Sequence, residues 1–279
     1  MAAGAERGRL IICPTPIGNL QDVTLRVLAA LREADVVACE DTRRTRVLLD
    51  RYGVKGTLVS YHEHNERARA AELVERMGAG ETVALVSDAG MPLISDPGFV
   101  LVQACVAAGL SVEVLPGPSS AVAALVASGL PADSWRFVGF LPRRRSALDA
   151  LLAGAQETLV AFESPGRLPA TLAALEAIDP QRPASVCREL TKIHEEVRRG
   201  SAAELRAHYA EHPPKGEVVL VVGAAPPGAP RLDDALEALA ALVQAGARAR
   251  PAAGVVARLT GLTANELHRA WIARDSASD

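Results

Sequence analysis

Between Arg9 and Leu115, short apolar runs alternate with longer helical ones, and no other feature of the chain limits its fold as strongly. Five runs read as strands, at 10–13, 35–39, 57–60, 82–87 and 111–115, and helices are expected between them at 23–33, 43–52, 66–77 and 99–108. The strand residues are apolar on both faces, the pattern of a parallel sheet covered by helices on either side. Strand–helix alternation implies right-handed βαβ units, and ligands of such sheets lie beyond the carboxyl ends of the strands.

After a helix at 119–128 a second set of elements follows. Strands are expected at 136–140, 158–162, 184–188, 194–198 and 217–222, with helices at 146–153, 168–177 and 202–211. The strand before Gly200 and the one after Gly216 are expected to pair antiparallel around a helix, so this sheet is read as mixed. The run AAPPGAP at 224–230 has the composition of a linker. Beyond it Leu232, Leu236, Leu239 and Val243 fall at helical spacing, and two short helices are expected at 251–259 and 263–274. Thr263 and Glu266 form a capping box, and Ala257 followed by Gly261 resembles a helix-turn-helix turn. The expected organisation is an α/β domain at 1–117, a second at 118–224 and a helical, helix-turn-helix-like module at 231–279. That module is expected either to cap the α/β domains or to contact nucleic acid.

The segment 1–9 is too short and too acidic for a signal peptide, and no apolar run approaches the roughly 18 residues of a membrane span. The protein is therefore expected to be cytoplasmic. Cys13, Cys39, Cys105 and Cys187 contain no Cys-x-x-Cys pair, so reduced core cysteines are expected instead of zinc or disulfides. A net charge of −3 is unhelpful to nucleic-acid binding and confines any such contact to a local patch.

Three loops stand out. The first strand ends in Pro14-Thr15-Pro16-Ile17-Gly18-Asn19-Leu20, whose single glycine excludes the Gly-x-Gly-x-x-Gly of a dinucleotide site. The fourth ends in Ser87-Asp88-Ala89-Gly90-Met91-Pro92-Leu93-Ile94-Ser95-Asp96-Pro97-Gly98, too elaborated for a generic turn. The fifth ends in Leu115-Pro116-Gly117-Pro118-Ser119-Ser120, where Ser119 also reads as a helix cap.

Together with Glu163-Ser164-Pro165 and Lys215-Gly216-Glu217, these loops resemble the tetrapyrrole methylase superfamily. The strings Cys39-Glu40-Asp41-Thr42-Arg43, His62-Glu63-His64-Asn65-Glu66 and Arg188-Glu189-Leu190-Thr191-Lys192 resemble one branch of it. That branch comprises the 16S ribosomal RNA methyltransferases that modify the 2′-oxygen of a cytidine in the small ribosomal subunit. The resemblance implies two α/β domains with S-adenosyl-L-methionine in the cleft between them, and a homodimer. It assigns Thr15, Pro16, Gly18, Asp88, Gly90, Ile94, Ser119, Ser120, Phe162 and Glu189 to the cofactor. It assigns Glu40, Asp41, Arg43, His62 and Lys192, with Glu63 beside them, to substrate and catalysis. The chain departs from the branch at Phe162, Gly166 and Arg44, where Tyr, His and His are usual, which removes a phenol and two imidazoles from consideration.

Methyl transfer to a ribose hydroxyl needs in-line alignment and a group that accepts the hydroxyl proton. Asp41, Glu40, His62 and Glu189 are candidates, and Lys192 joins them only if its pKa falls. Asp41 before Thr42 is also an ordinary helix start. His62-x-His64 lacks a third ligand at useful spacing, so no metal is expected. Phosphate contacts are expected from Arg43, Arg44 and Arg46, from 143–145, and from Arg188, Lys192, Arg198 and Arg199. Two other functions compete: methylation of a tetrapyrrole ring, which the branch-like strings oppose, and non-enzymatic nucleic-acid binding, which does not need three elaborated loops.

Overall fold

A computed structural model describes residues 8–225 and 232–275. The segment 1–7 and residues 226–230 of the expected linker lie outside the described residues. The chain divides into two compact units, Met1–Ala224 and Ala225–Asp279.

The first unit opens with β1 (Arg9–Ile12), α1 (Leu25–Glu33), β2 (Val36–Cys39), α2 (Thr42–Arg51), β3 (Leu58–Ser60), α3 (Glu66–Gly78), β4 (Val83–Val86), α4 (Phe99–Ala107) and β5 (Ser111–Val114). The five strands form a wholly parallel sheet in the order β3-β2-β4-β1-β5. All residues of β2 and β4 are buried, because helices cover both faces. The two clusters of core side chains flanking this sheet hold Cys13 and Cys39 on one side and Cys105 on the other; all four cysteines of the chain are buried and free.

The second sheet is built from β6 (Trp135–Phe140), β7 (Thr158–Glu163), β8 (Pro183–Arg188), β9 (Glu196–Ser201) and β10 (Val218–Val222), with α5 (Ser120–Ser128), α6 (Arg145–Ala153), α7 (Leu168–Ile178) and α8 (Ala202–Glu211). Its order is β6-β7-β10-β8-β9, with β6 parallel to β7 and the other pairs antiparallel, so it is mixed as expected. The expected pairing of β9 with β10 does not occur: β8 lies between them. A helix such as α8 returns the chain to the end where it started, so the strands it joins run parallel, and β8 separates them. The first strand of that pair also starts two residues later than expected. His194 and Glu195 belong to a turn in which the Glu195 amide donates to the Lys192 carbonyl at 3.0 Å.

Where the second sheet ends, Arg182 is 1% exposed, its Nε donating to the Gly223 carbonyl at 2.6 Å and its Nη2 to that of Leu152 at 3.3 Å. Burial lowers its pKa, partly offset by the charge of Asp179. Arg182→Met should leave two buried acceptors unpaired while relieving a buried charge, a net loss of about 2 kcal/mol. Denaturant unfolding of the variant measures this, and an unchanged midpoint would show that the carbonyls find other donors.

The second unit holds α9 (Leu232–Gln244), α10 (Ala249–Thr260) and α11 (Ala264–Asp275), packed around their own core of Ala235, Leu236, Leu239, Ala252, Ala253, Val256 and Leu267. Gly261 ends α10 with φ +74°, and the Thr263 hydroxyl meets Glu266 Oε2 at 2.7 Å in the expected cap. Among the described residues no helix is long and apolar enough to cross a membrane.

Candidate active site

Strand order gathers the loops. Because β1 lies between β4 and β5, the three elaborated loops emerge side by side. Two of them are tied directly: Thr15 and Gly90 exchange backbone hydrogen bonds at 2.9 Å, and the Thr15 hydroxyl donates to the Ser87 carbonyl at 3.0 Å. The loops after β2 and β3, which carry Glu40, Asp41, Arg43 and His62, lie on the other side of β4.

A cavity of about 380 Å³ opens between the two sheets of the first unit. Ile17, Gly90, Ile94, Asp96, Ser119 and Ser120 form one wall; Phe140, Phe162, Glu163, Cys187, Gly216 and Glu217 form the other. Of the residues assigned to the cofactor, Gly90, Ile94, Ser119, Ser120 and Phe162 line it. Phe162 is held edge-on between Phe137 and Phe140, with ring centroids 5.0 and 5.5 Å away. Ser119 caps α5 through the Val122 amide.

The other five stand off the cavity. Thr15 and Pro16 are buried behind its wall, Thr15 as the tie between loops. Gly18 supports the junction of the sheets: a Cβ there would come 2.5 Å from Lys192 Cγ and 2.8 Å from the Thr191 hydroxyl. Asp88 faces away, accepting the Asp41 amide at 3.0 Å and pairing with Arg44 at 3.4 Å. Glu189 accepts the Glu217 amide and the Lys192 ammonium, both at 2.9 Å.

Among the described residues, the non-glycine positions with positive φ are Leu93, Ser95, Glu189 and Thr191. All four lie in two loops beside this cavity. Such conformations cost of order 1–3 kcal/mol each and persist where surrounding structure imposes them, typically at functional sites.

The loop ends of β2 and β3 form a charged cluster. Asp41 caps α2 through the Arg43 amide at 2.8 Å and grips the Arg43 guanidinium at 3.1 and 2.8 Å. Those side-chain and backbone hydrogen bonds pull its carboxyl down to about 2. Glu40 is pushed up, first by burial and then by the charge of Asp88. The His62 Nδ1 is buried with no hydrogen-bond partner, while its Nε2 lies 3.3 Å from Asn65. His62 and His64 meet edge to face. No set of three metal-ligating side chains exists among the described residues.

Asp96 links this cluster to the cavity. It lines the cavity, and its carboxyl is raised to about 6, chiefly by burial, with the charges of Glu40 and Asp88 adding and a hydrogen bond from Ser87 opposing. Its loop stands out in the sequence, but Asp96 is not among the residues that the family resemblance assigns. The available signal was a second acidic residue eight positions after Asp88 in a loop already singled out. Glu163, likewise unassigned, lines the cavity, is 2% exposed, and accepts the Thr171 hydroxyl at 2.6 Å and the Ser164 amide at 2.8 Å.

Lys192 bridges Glu189 and Glu217, its Nζ 2.9 Å from each. Burial lowers its pKa, but the hydrogen bonds it donates to both carboxylates outweigh this and the net shift is upward. Glu189 is correspondingly held low, first by the Glu217 amide and then by Lys192. The third basic group expected for RNA is divided: Arg188 and Arg198 share Glu196, while Arg199 donates to the carbonyls of Ala127 and Ser128.

The sequence pattern of the Tetrapyrrole (Corrin/Porphyrin) Methylases matches residues 9–206. A protein of Mesorhizobium japonicum named Ribosomal RNA small subunit methyltransferase I is 47% identical over 93% of this chain and 90% of its own length. One of Thermotoga maritima with the same name is 45% identical over 77% of this chain and 98% of its own. The crystal structure of uroporphyrin-III-C-methyltransferase from Thermus thermophilus aligns with a TM-score of 0.55 at 28% identity, over 78% of this chain and 94% of that one. A crystal structure of Uroporphyrin-III C-methyl transferase from the same organism, complexed with S-adenyl homocysteine, aligns with a TM-score of 0.54 at 22% identity over 77% of this chain and 97% of that one, a likeness of fold alone. With its matched pattern running from β1 through β9, and a relative this similar along nearly its whole length, the chain belongs to the tetrapyrrole methylase family.

Proposed function

We propose that the protein is an S-adenosylmethionine-dependent methyltransferase that methylates the 2′-oxygen of a cytidine in 16S ribosomal RNA, within the small ribosomal subunit and in the cytoplasm. The observation that carries this is the relative named for small-subunit rRNA methylation, alike over 93% of the chain. The cavity fits the cofactor by its chemistry. Aromatic and aliphatic walls suit the adenine, the Ser119 and Ser120 hydroxyls suit ribose and carboxylate oxygens, and the carboxyls of Asp96 and Glu217 suit a cationic ligand. When bound, S-adenosylmethionine supplies an electrophilic methyl group.

The chain's own residues then orient the ribose and take its proton. Asp41 and Glu189 are too weakly basic, and Lys192 stays protonated. Glu40, raised by burial, and His62, with its unpartnered nitrogen, remain as proton acceptors. Arg43, with an exposed side chain beside Asp41, is placed to meet phosphate.

Mass spectrometry of rRNA fragments, after incubation with cofactor and unmodified small subunits, tests the reading. One methyl gained on a cytidine ribose is expected. Methylation of a tetrapyrrole but of no rRNA would overturn it.

A homodimer accounts for the apolar side chains left exposed on consecutive elements: Phe99 and Val106 of α4, Val114 of β5, Val122 and Val126 of α5. Sedimentation should give a dimer for the native chain and a shift toward monomer for Phe99→Glu. A native chain sedimenting as a monomer overturns this.

The second unit is assigned to substrate docking. The Thermotoga maritima relative is matched over 98% of its length by a 217-residue alignment, the same length as the described part of the first unit. A chain stopped at Ala225 keeps the Gly223 carbonyl that Arg182 binds. It should fold and bind cofactor while methylating subunits several-fold more slowly, and added salt should narrow the gap. Equal rates for both chains would remove the docking role.

A further inference from the structure

A second cavity, of about 350 Å³, lies against β8, β9 and α8 and is lined by Arg188, Arg198, Lys215, His208, His212 and Tyr209, with Glu196 its only acidic residue. Glu196 is already shared: Arg188 Nε is 3.0 Å from one oxygen and Arg198 Nε 3.2 Å from the other, with His208 Nε2 at 3.9 Å. Lys215 is exposed and has no carboxylate partner among the described residues. One carboxylate thus faces two guanidiniums and an ammonium, an excess of two positive charges before either histidine is protonated. The chain as a whole carries −3, so this local excess runs against the molecule's balance.

Tyr209 supplies an independent observation. It is 2% exposed, and its hydroxyl is buried without a hydrogen-bond partner. An orphaned buried donor costs about 1–3 kcal/mol; Tyr209 lines the cavity, and a small shift that brings its hydroxyl to an anionic oxygen there would relieve that cost. Burial, then the charge of Glu196, pushes the phenol up to about 12, so it remains a donor at any physiological pH.

We propose that this cavity is a phosphate-binding site, and that it holds a backbone phosphate of the RNA beside the nucleotide being methylated. The RNA assignment rests on the function proposed above; the phosphate site does not. Two guanidiniums, an ammonium and a phenol are the donor set that a phosphate recruits. Adjacency to the active site comes from one tripeptide: Lys215 lines this cavity, and Gly216 and Glu217 line the cofactor cavity. Gly216 has φ +80°, and a Cβ there would lie 2.4 Å from the Glu189 carboxylate, so the tripeptide is held in one shape.

His208 makes binding pH-dependent. The rings of His208 and His212 are stacked, 4.6 Å apart at 12°, and the pKa of His208 is lowered by burial, then by Arg198 and His212. Glu196 on β9 and Glu211 on α8 oppose this; Arg188 on β8 and Lys215 complete the charges around the pair. A phosphate reverses the repulsion, so protons are taken up on binding and affinity rises as pH falls through the imidazole range.

Histidine-selective carbon NMR of the full chain tests this, with inorganic phosphate in one titration and a short single-stranded oligoribonucleotide in another. Both should displace the His208 and His212 signals saturably. Tyr209→Phe and Lys215→Gln should each weaken the response about tenfold with cofactor affinity unchanged; the melting temperature should stay the same in Lys215→Gln and rise in phosphate-free Tyr209→Phe, which no longer buries an unpaired hydroxyl. No displacement, or an undiminished response in both variants, overturns the site. Displacement by phosphate but not by the oligonucleotide overturns the RNA assignment and leaves a site for a small phosphate ligand. If small subunits gain no methyl while the oligonucleotide still moves the histidines, the proposed function fails and the site stands.

Discussion

A Lys192→Met protein is expected to methylate small ribosomal subunits about 10²-fold more slowly than the native chain, with cofactor affinity changed by no more than roughly threefold. Lys192 joins three segments. Its ammonium holds Glu189 and Glu217 at 2.9 Å, and its stem lies against Gly18, where even a methyl group would clash at 2.5 Å. Without the cation two carboxylates face each other beside the cavity, repelling both one another and an approaching phosphate. The alternative role, proton acceptor, conflicts with the upward pKa, because the amine stays protonated through the neutral range. Lys192→Arg separates the two roles: a cation-bridge function retains most of the rate, while a base function leaves Arg as inactive as Met. The stabilisation that goes with a raised lysine pKa is present below the unfolded value of 10.5 and lost as pH rises through the folded one. The Met variant should therefore melt lower than the native protein at pH 7, with the difference shrinking in strongly alkaline solution. Single-turnover rates and melting curves for the three proteins decide the matter, and an inactive Arg variant would sink the bridge role.

The sequence made some of this legible and hid the rest for identifiable reasons. Burial of every residue in β2 and β4 was readable because two-sided coverage writes continuous apolar runs. The capping of α2 by Asp41 and of α5 by Ser119 was readable because caps are local. Strand order was not. Only the placement of β1 between β4 and β5 shows that the first, fourth and fifth loops are neighbours, and that the Glu40 and His62 loops flank them from beyond β4. Side-chain direction was hidden for the same reason. Asp88 and Asp96 lie eight residues apart in one loop, yet the first turns to the Asp41 amide and Arg44 while the second lines the cavity. Choosing between them needs the backbone turns at Leu93 and Ser95, whose positive φ no residue-type preference foretells. In the Arg188–Lys192 string, alternation with period two breaks down because Glu189 and Thr191 take left-handed conformations, which also delays β9.

Asp96 gives the second large effect, a dependence of cofactor affinity on pH. With its carboxyl raised to about 6, affinity for S-adenosylmethionine should fall roughly tenfold per pH unit below that value, while Asp96→Asn should show weak binding with little slope. The sign follows from charge. An acid whose folded pKa lies above the ordinary 3.8 binds its proton more tightly in the native state, so the empty protein loses stability as pH rises between those values. A sulfonium in the cavity favours the ionised carboxylate, so binding near pH 6 should release a proton. Glu40→Gln provides an internal check: its negative charge is among the causes of the upward shift, so removing it should move the midpoint down. S-adenosylhomocysteine, which lacks the sulfonium charge, should depend on pH less steeply. Calorimetry in buffers of differing ionisation enthalpy reads the released proton directly. The same slope in the native and Asp96→Asn proteins would show that Asp96 does not sense the cofactor, and a slope lost only in Glu40→Gln would transfer the role to Glu40.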